Sequence, residues 1–553
     1  MKRFGLLGIL LLAFLLRVLW LDKFPVGFTP DEASLGYDAY SILKTGKDQW
    51  GRSFPLVLES FGDFKSPLYA YLTIPFVAIF GLTKVAVRLP NALLGTAAIY
   101  VTYLLARELS QKEKLGLIAS LLLAISPWHV MISRGAFEAN LTTFFLPLGV
   151  YLFLKGLRDS RFLVLSSFIF GLNLFTYHSA KFVTPVVFLF MAFLFRHELG
   201  KIEKKYFYTS LVLFLTLLAF TISTFFQGAG ARAADISILK TSLGPASEER
   251  IVAVKSGWPD PLARLIHNKY QVAGRQFLGN YLSYFSPQFL FSSGPAETTY
   301  GMLPGRGVLY WFESVFLAGF IFYVAKEKLS KPLKLVILWF FISPIPASLA
   351  IGPGYAANRV TVMVPVIQII SGIGAVYLIK VFKDLFTYIL FKVSSVISCL
   401  IGLILFLSFL ESYLIQSPHK AASGMLYGNL EAAQWLTSIG TDRQIIISRG
   451  LSEPHIYVAF ANSWDPNDYQ RFTKTWDYKG SGLTWVDQIP EYKLGNYIFK
   501  NIDWRLDNKG GRYLVGKPEE FPEDVVPLKI FYYPNGGKAI LIVDPATQKL
   551  ALR

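Results

Sequence analysis

Two carboxylates stand side by side in the run Phe28-Thr29-Pro30-Asp31-Glu32-Ala33, directly after the first apolar stretch of the chain. A carboxylate held at a membrane surface can take the proton of an acceptor hydroxyl as general base, provided the hydroxyl reaches hydrogen-bonding distance. Further along the same loop, Gly62-Asp63-Phe64-Lys65-Ser66-Pro67-Leu68-Tyr69 carries a lysine that can hold a lipid phosphate as a point charge. Structural uses compete with both. Thr29 or Asp31 can cap the helical stretch Ala33 to Leu43, with Glu32 favouring its dipole, and a lysine at a helix end can simply reach headgroups. Capping and catalysis by the acidic pair are compatible.

More charged residues come from separate loops: Arg88 in Val87-Arg88-Leu89-Pro90, Arg134 and Glu138 in Ser133-Arg134-Gly135-Ala136-Phe137-Glu138, His178 and Lys181 in Tyr177-His178-Ser179-Ala180-Lys181, and Arg359 in Asn358-Arg359-Val360. Convergence on one phosphate or pyrophosphate would give such a set a purpose; ion pairs such as Arg134 with Glu138, or lipid contact, are the plainer alternatives. His178 reads as a hydrogen-bonded structural residue, since no second His lies at ligand spacing. No metal set emerges and no cofactor is certain, although one or two of the carboxylates could take Mg²⁺ or Mn²⁺. The chain has no Walker loop, no G-x-G-x-x-G before a helix, no H-E-x-x-H and no G-x-S-x-G.

The elements that position these residues follow from composition. Of 553 residues, 53% are hydrophobic and 16% aromatic, too apolar for an ordinary soluble protein, so the chain reads as a polytopic membrane protein. The net charge of +17 is spread over small clusters between apolar runs, which argues for topology signals and phosphate ligands rather than nucleic acid. The single cysteine, Cys399, excludes an intrachain disulfide and a cysteine zinc site. Met1-Lys2-Arg3 before a long apolar run with no small-residue cleavage site reads as the start of an uncleaved helix.

Apolar runs near 4–21, 88–106, 115–131, 141–154, 162–177, 182–195, 206–226, 308–325, 333–351, 360–379 and 388–415 give about eleven spans. A twelfth run, 67–82, is short, starts at Pro67 and contains Pro75, as an interfacial or re-entrant segment would. If it does not cross, every Lys/Arg-rich loop falls on the cytoplasmic side; if it crosses, all but the first move outside, against the positive-inside rule. That choice places 22–87, 132–140, 178–181, 227–307, 352–359 and everything after about 416 on the extracytoplasmic face of the cell membrane. Residues 1–415 then form a transmembrane domain, with a first external loop at 22–87 and a large one at 227–307. Residues 416–553 form a small extracytoplasmic α/β domain, with a helix at Asn429 to Ile439, a strand at Gln444 to Ser448, and a hairpin of Lys529 to Tyr533 with Ala539 to Val543 around Pro534-Asn535-Gly536-Gly537. Thr475-Trp476-Asp477-Tyr478-Lys479-Gly480 differs from the Trp-Trp-Asp-Tyr-Gly signature of oligosaccharyltransferases and reads as an aromatic surface turn.

The order of these pieces resembles the membrane glycosyltransferases of the dolichyl-phosphate-mannose protein mannosyltransferase and aminoarabinose-lipid A transferase type, the C-type glycosyltransferase fold. The resemblance covers roughly the first 380 residues. It rests on Pro30-Asp31-Glu32, Phe64-Lys65-Ser66-Pro67-Leu68, Arg88-Leu89-Pro90-Asn91-Ala92, Ser126-Pro127-Trp128 leading to Ser133-Arg134, and Asn358-Arg359 before an apolar span with Pro365. It implies a mainly α polytopic fold and transfer of a sugar from a polyprenyl-phosphate donor to an acceptor hydroxyl of a lipid, a protein or a cell-envelope glycan, with inversion, on the extracytoplasmic face. Asp31 becomes the catalytic base with Glu32 beside it as helper or acceptor-orienting group, Lys65 the donor-phosphate lysine, and Arg359, with Arg134 and Lys181, further phosphate ligands. Asp63, Glu138 and His178 fall to the acceptor side, Glu138 near the place of a second acidic residue. Relatives often carry Glu-Lys-Pro or Lys-Pro-Pro where this chain has Lys65-Ser66-Pro67. The competing class, a transporter or flippase of lipid-linked glycans, would place its charges near the midplane and show matching halves; neither is seen in the sequence.

Overall fold

The structure is a computed structural model that describes residues 2–226, 237–351 and 355–551. The parts of the expected external loops at 227–236 and 352–354 lie outside the described residues.

Each of the eleven apolar runs is built around a helix. The first nine helices are α1 (Lys2–Val18), α2 (Pro30–Thr45), α3 (Leu68–Phe80), α4 (Lys84–Ser110), α5 (Glu113–Ile125), α6 (Pro127–Ile132), α7 (Thr142–Gly156), α8 (Arg161–Asn173) and α9 (His178–Leu194). Later apolar helices run over Lys204–Thr224, Trp311–Lys326, Lys331–Ile342, Val366–Leu385 and Tyr388–Glu411. The run 115–131 is split into α5 and α6 at Ser126-Pro127, because proline lacks the N–H that would continue the ladder; Ser126 instead caps α6 through His129 N–H. Among the described residues four helices are long and apolar enough to cross a membrane unaided: Lys84–Ser110, Lys204–Thr224, Thr361–Leu385 and Tyr388–Ala421. The others are shorter, so the number of crossings is not set by helix length alone.

These helices differ in what they present. The Thr361–Leu385 helix is packed into the bundle, whereas Tyr388–Ala421 keeps apolar side chains such as Ile389, Val396 and Ile404 exposed around its circumference. A helix that is apolar all round and uncovered by protein is a membrane helix. The chain is a membrane protein.

Beyond Gly428 the backbone changes character. A helix at Asn429–Ile439 leads into a mixed six-stranded sheet in the order β4-β5-β3-β6-β8-β7, where β3 is Gln444–Ile447, β4 Glu491–Leu494, β5 Tyr497–Lys500, β6 Arg512–Gly516, β7 Lys529–Tyr532 and β8 Lys538–Val543. Strand β3 lies parallel to β5 and β6; the remaining pairs are antiparallel. The β7–β8 turn falls on Pro534-Asn535-Gly536-Gly537, with Gly536 at φ 86°, a conformation that favours glycine.

This C-terminal unit sits directly on α2 and α4. Phe28 and Phe460 meet ring to ring at 5.0 Å, Tyr457 donates to the Phe28 carbonyl at 2.9 Å, Tyr37 donates to the Trp464 carbonyl at 3.0 Å, and Lys84 pairs with Glu431 at 2.9 Å. The Thr475–Gly480 turn joins the same interface. Trp476 and Tyr478 are buried, Trp476 donates to the Lys493 carbonyl at 3.0 Å, and Tyr478 and Lys479 both engage Glu59. An exposed turn was the expectation; the aromatic rings are buried because Trp50, Tyr469 and Tyr492 close over them.

Candidate active site

The N-terminus of α2 sets the direction of the acidic pair. Thr29 is the N-cap: Glu32 N–H donates to Thr29 Oγ1 at 3.3 Å, and Thr29 N–H donates back to Glu32 Oε2 at 3.1 Å, a reciprocal capping box. Pro30 occupies the first helical turn, where its missing N–H costs nothing. Closing the box turns Glu32 inward. There Arg88 donates Nε to Oε1 at 2.8 Å and Nη2 to Oε2 at 3.0 Å, and Ala136 N–H donates to Oε1 at 3.0 Å. Four donors fill the lone-pair sites of a carboxylate that is 0% exposed. Arg88 donates its other hydrogens to the carbonyls of Leu21, Pro25 and Gly27. Glu32 was expected beside the base; the structure makes it the anchor of α2, with no open edge toward an acceptor.

Asp31, one residue earlier on the helix, faces the other way. Its Oδ1 lies 2.7 Å from Lys65 Nζ, with the Asp31 side chain 42% exposed and Lys65 only 5%. Lys65 is held by a small hairpin, β1 (Leu58–Glu59) against β2 (Phe64–Lys65), in which Leu58 faces Lys65. The turn closes when Ser60 N–H donates to the Asp63 carbonyl at 2.8 Å and Phe64 N–H to Asp63 Oδ1 at 2.7 Å. Asp63 therefore shapes the loop. Gly62, at φ 121°, allows the tip to pass under the Thr484 carbonyl, where any Cβ would collide, and Val486 N–H donates to the Phe61 carbonyl at 2.9 Å. Lys65 Nζ lies 5.5 Å from the Phe61 ring centroid, so both its stem and its charge are fixed.

Glu138 opens the helical turn Glu138–Leu141 and keeps a small accessible rim. Burial pushes its carboxyl up to about 8, opposed by the charges of Lys65 and Lys181 and reinforced by Asp31. Asp31, Lys65, Glu138 and Lys181 thus share one electrostatic neighbourhood. His178, at the start of α9, stands against the Phe64 backbone of the strand that carries Lys65, and burial holds its imidazole down at about 3. Tyr177 joins the two halves of the site: it lies in the field of Arg359, Glu138, Glu297 and Asp31, and Asn358 Nδ2 donates to its hydroxyl at 3.3 Å. Arg359 donates to the Ile351 carbonyl at 2.7 Å and acts on Glu297, whose carboxyl burial raises.

Arg134 departs from expectation. It is buried and donates to the carbonyls of Leu16, Leu19 (2.7 Å) and Trp20 (3.3 Å) with its plane over Tyr413, supplying the carbonyls left bare where α1 ends. The expected phosphate ligand is a helix cap. Sequence reasoning missed Tyr177 and Glu297. Tyr177 directly precedes His178 and was within reach of a closer reading; Glu297 carries no local signal.

Residues 64–223 match the family model of dolichyl-phosphate-mannose-protein mannosyltransferases. An uncharacterised protein of Aquifex aeolicus is 28% identical over 207 residues, 36% of this chain and 41% of that protein, so the match spans about two fifths of the relative's length. Among solved structures, ArnT from Cupriavidus metallidurans bound to undecaprenyl phosphate superposes over 98% of this chain and 97% of its own at 12% identity, with a TM-score of 0.50. The fold is that of the C-type glycosyltransferases. The Archaeoglobus fulgidus oligosaccharyltransferase, in its apo form, is similar over 83% of this chain and 64% of its own, with 15% identity and a TM-score of 0.45. Within this glycosyltransferase fold, the stretch matched by the mannosyltransferase model begins at Phe64 and takes in Lys65, Arg88, Arg134, Glu138, His178 and Lys181. It leaves Asp31, Arg359 and the C-terminal unit outside, so their grouping with Lys65 is read from the geometry alone.

Proposed function

We propose that this chain transfers a sugar from a polyprenyl-phosphate donor to an acceptor hydroxyl on the extracytoplasmic face of the cell membrane, with inversion at the anomeric carbon. The observation that carries the reading is the contact between a half-exposed carboxylate, Asp31, and a buried lysine, Lys65, at 2.7 Å. A glycosyl phosphate is already activated, so the protein must orient the acceptor and stabilise the departing phosphate. One base and a few cations suffice.

The chemistry runs as follows. With no donor present, Asp31 and Lys65 neutralise each other. An arriving phosphate diester competes for Lys65, and Asp31 is released to accept the acceptor's proton. The acceptor oxygen forms its bond to the anomeric carbon as the bond from that carbon to the phosphate oxygen breaks; the electron pair leaves with the polyprenyl phosphate, beside Lys65 and within the field of Lys181 and Arg359. Glu138, protonated near neutrality, withholds a negative charge from the phosphate and can donate a hydrogen bond to the sugar or acceptor. Support for the extracytoplasmic side comes from the basic loops, which fall on the opposite face. ArnT, with the same fold, is a protein whose structure was solved with undecaprenyl phosphate bound. The test is transfer from defined polyprenyl-phosphate sugars by the purified protein in lipid. New glycosidic product supports the reading, and movement of intact donor across vesicles without product rejects it.

A further inference from the structure

Glu453, His455 and Asp487 meet where the C-terminal unit covers the tip of the first external loop. One oxygen from each carboxylate and one ring nitrogen of His455 lie within 4.8 Å of one another. Glu453 and His455 belong to the start of the Pro454–Ala461 helix, and Asp487 to the turn Val486–Gln488; Glu453 N–H donates to Asp487 Oδ2 at 2.6 Å and ties the two segments together.

Hydrogen bonding fixes the state of the imidazole. Tyr492 donates its one hydroxyl hydrogen to Asp487 Oδ1 at 2.8 Å and lies 2.9 Å from His455 Nδ1. The hydroxyl oxygen must therefore accept from Nδ1–H, which leaves Nε2 with a free lone pair. His455 Nε2, on a fully buried ring, has no hydrogen-bond partner, and the Glu453 carboxyl, 9% exposed, is set against the Asp487 carboxyl. Native proteins rarely leave such a nitrogen empty-handed, and an unrecorded ion is one standard reason. The neighbouring Arg449 guanidinium is directed at the Asp487 and Ile489 carbonyls.

We propose that Glu453, His455 and Asp487 hold one divalent transition-metal cation, Zn²⁺ or Mn²⁺, at the junction between the C-terminal unit and the first external loop. An imidazole with two carboxylates suits these ions, whereas Mg²⁺ and Ca²⁺ prefer oxygen ligands alone. Binding displaces any proton kept between the two carboxyls. The cation also has a mechanical consequence. The Phe61 ring lies 5.5 Å from the His455 ring and 5.5 Å from Lys65 Nζ, and the Phe61 carbonyl accepts from Val486, the neighbour of Asp487. A cation there clamps the loop that carries Lys65. The site stands independently of sugar transfer, because its readouts are metal content and stability.

The experiment uses the full-length chain in detergent, stripped with a chelator and dialysed against micromolar Zn²⁺ or Mn²⁺. Elemental analysis should find one cation per chain, X-ray absorption should show an imidazole among oxygen ligands, and the melting temperature should rise on loading. Asp487→Asn and Glu453→Gln keep shape and remove charge; each should weaken binding by about tenfold or more. No uptake of either cation, or uptake that is unchanged in both variants, overturns the proposal; the two carboxyls then share a proton. Should both variants fail to fold, the wild-type absorption spectrum decides: a shell without imidazole contradicts the site.

Discussion

Asp31 and Glu32 are adjacent in sequence and opposite in use: Glu32 is locked at 0% exposure by Arg88, and Asp31 is 42% exposed against Lys65. The capping box at Thr29 divides them, because the third residue after the cap must fold back while the second projects outward. The anchor and the proposed base are set by one helix start.

Arg88→Met should therefore unfold α2's surroundings rather than impair one step. It strands Glu32 without its cation, at a cost of about 3–5 kcal/mol. A thermal melt in detergent checks this, against Asp31→Asn, which leaves Lys65 beside a half-exposed amide and should lower the melting temperature by less than Arg88→Met.

Lys65→Met should weaken donor binding. Loss of one charge-assisted contact to a phosphate costs about 1.5–3 kcal/mol, or roughly tenfold to a hundredfold in affinity. Titration with undecaprenyl phosphate measures it. Lys65→Arg should not restore full affinity, since a planar fork replaces a compact ammonium in a cramped, buried position.

Much of this was legible in the sequence. The apolar runs each marked a helix, and the Thr29 cap and the lysine loop both stood out by residue type. Arg134 and Glu32 were assigned to the site because the sequence shows a charge and a side of the membrane but not a direction. Arg134's partners are backbone carbonyls more than a hundred positions earlier, and no spacing rule reveals them. Burial of Trp476 and Tyr478 likewise depends on Trp50 and Glu59 of the 22–87 loop, far off in the chain.

Glu138 makes stability depend on pH. Its carboxyl is held at about 8 in the folded chain against 4.5 when unfolded, so between those values the folded state keeps a proton that the unfolded state has lost. Stability must fall as pH rises through that window and level off above it. Glu138→Gln should flatten this part of the pH profile of the melting temperature.

Glu59 ties the 22–87 loop to the C-terminal unit through Tyr478 and Lys479, and pairs with Arg52 inside the loop. Glu59→Ala removes the shared acceptor, at about 1–3 kcal/mol. Limited proteolysis should then cut between 475 and 485 sooner than in the wild type.

The central claim is that Asp31 is the base, and the direct test is transfer by Asp31→Asn with the donor at saturation. Loss of general base catalysis predicts a rate lower by about 10²–10⁴-fold, with affinity for undecaprenyl phosphate at or above wild type, because Asp31 no longer competes for Lys65. A variant that keeps its transfer rate, with donor bound as tightly as before, contradicts the account.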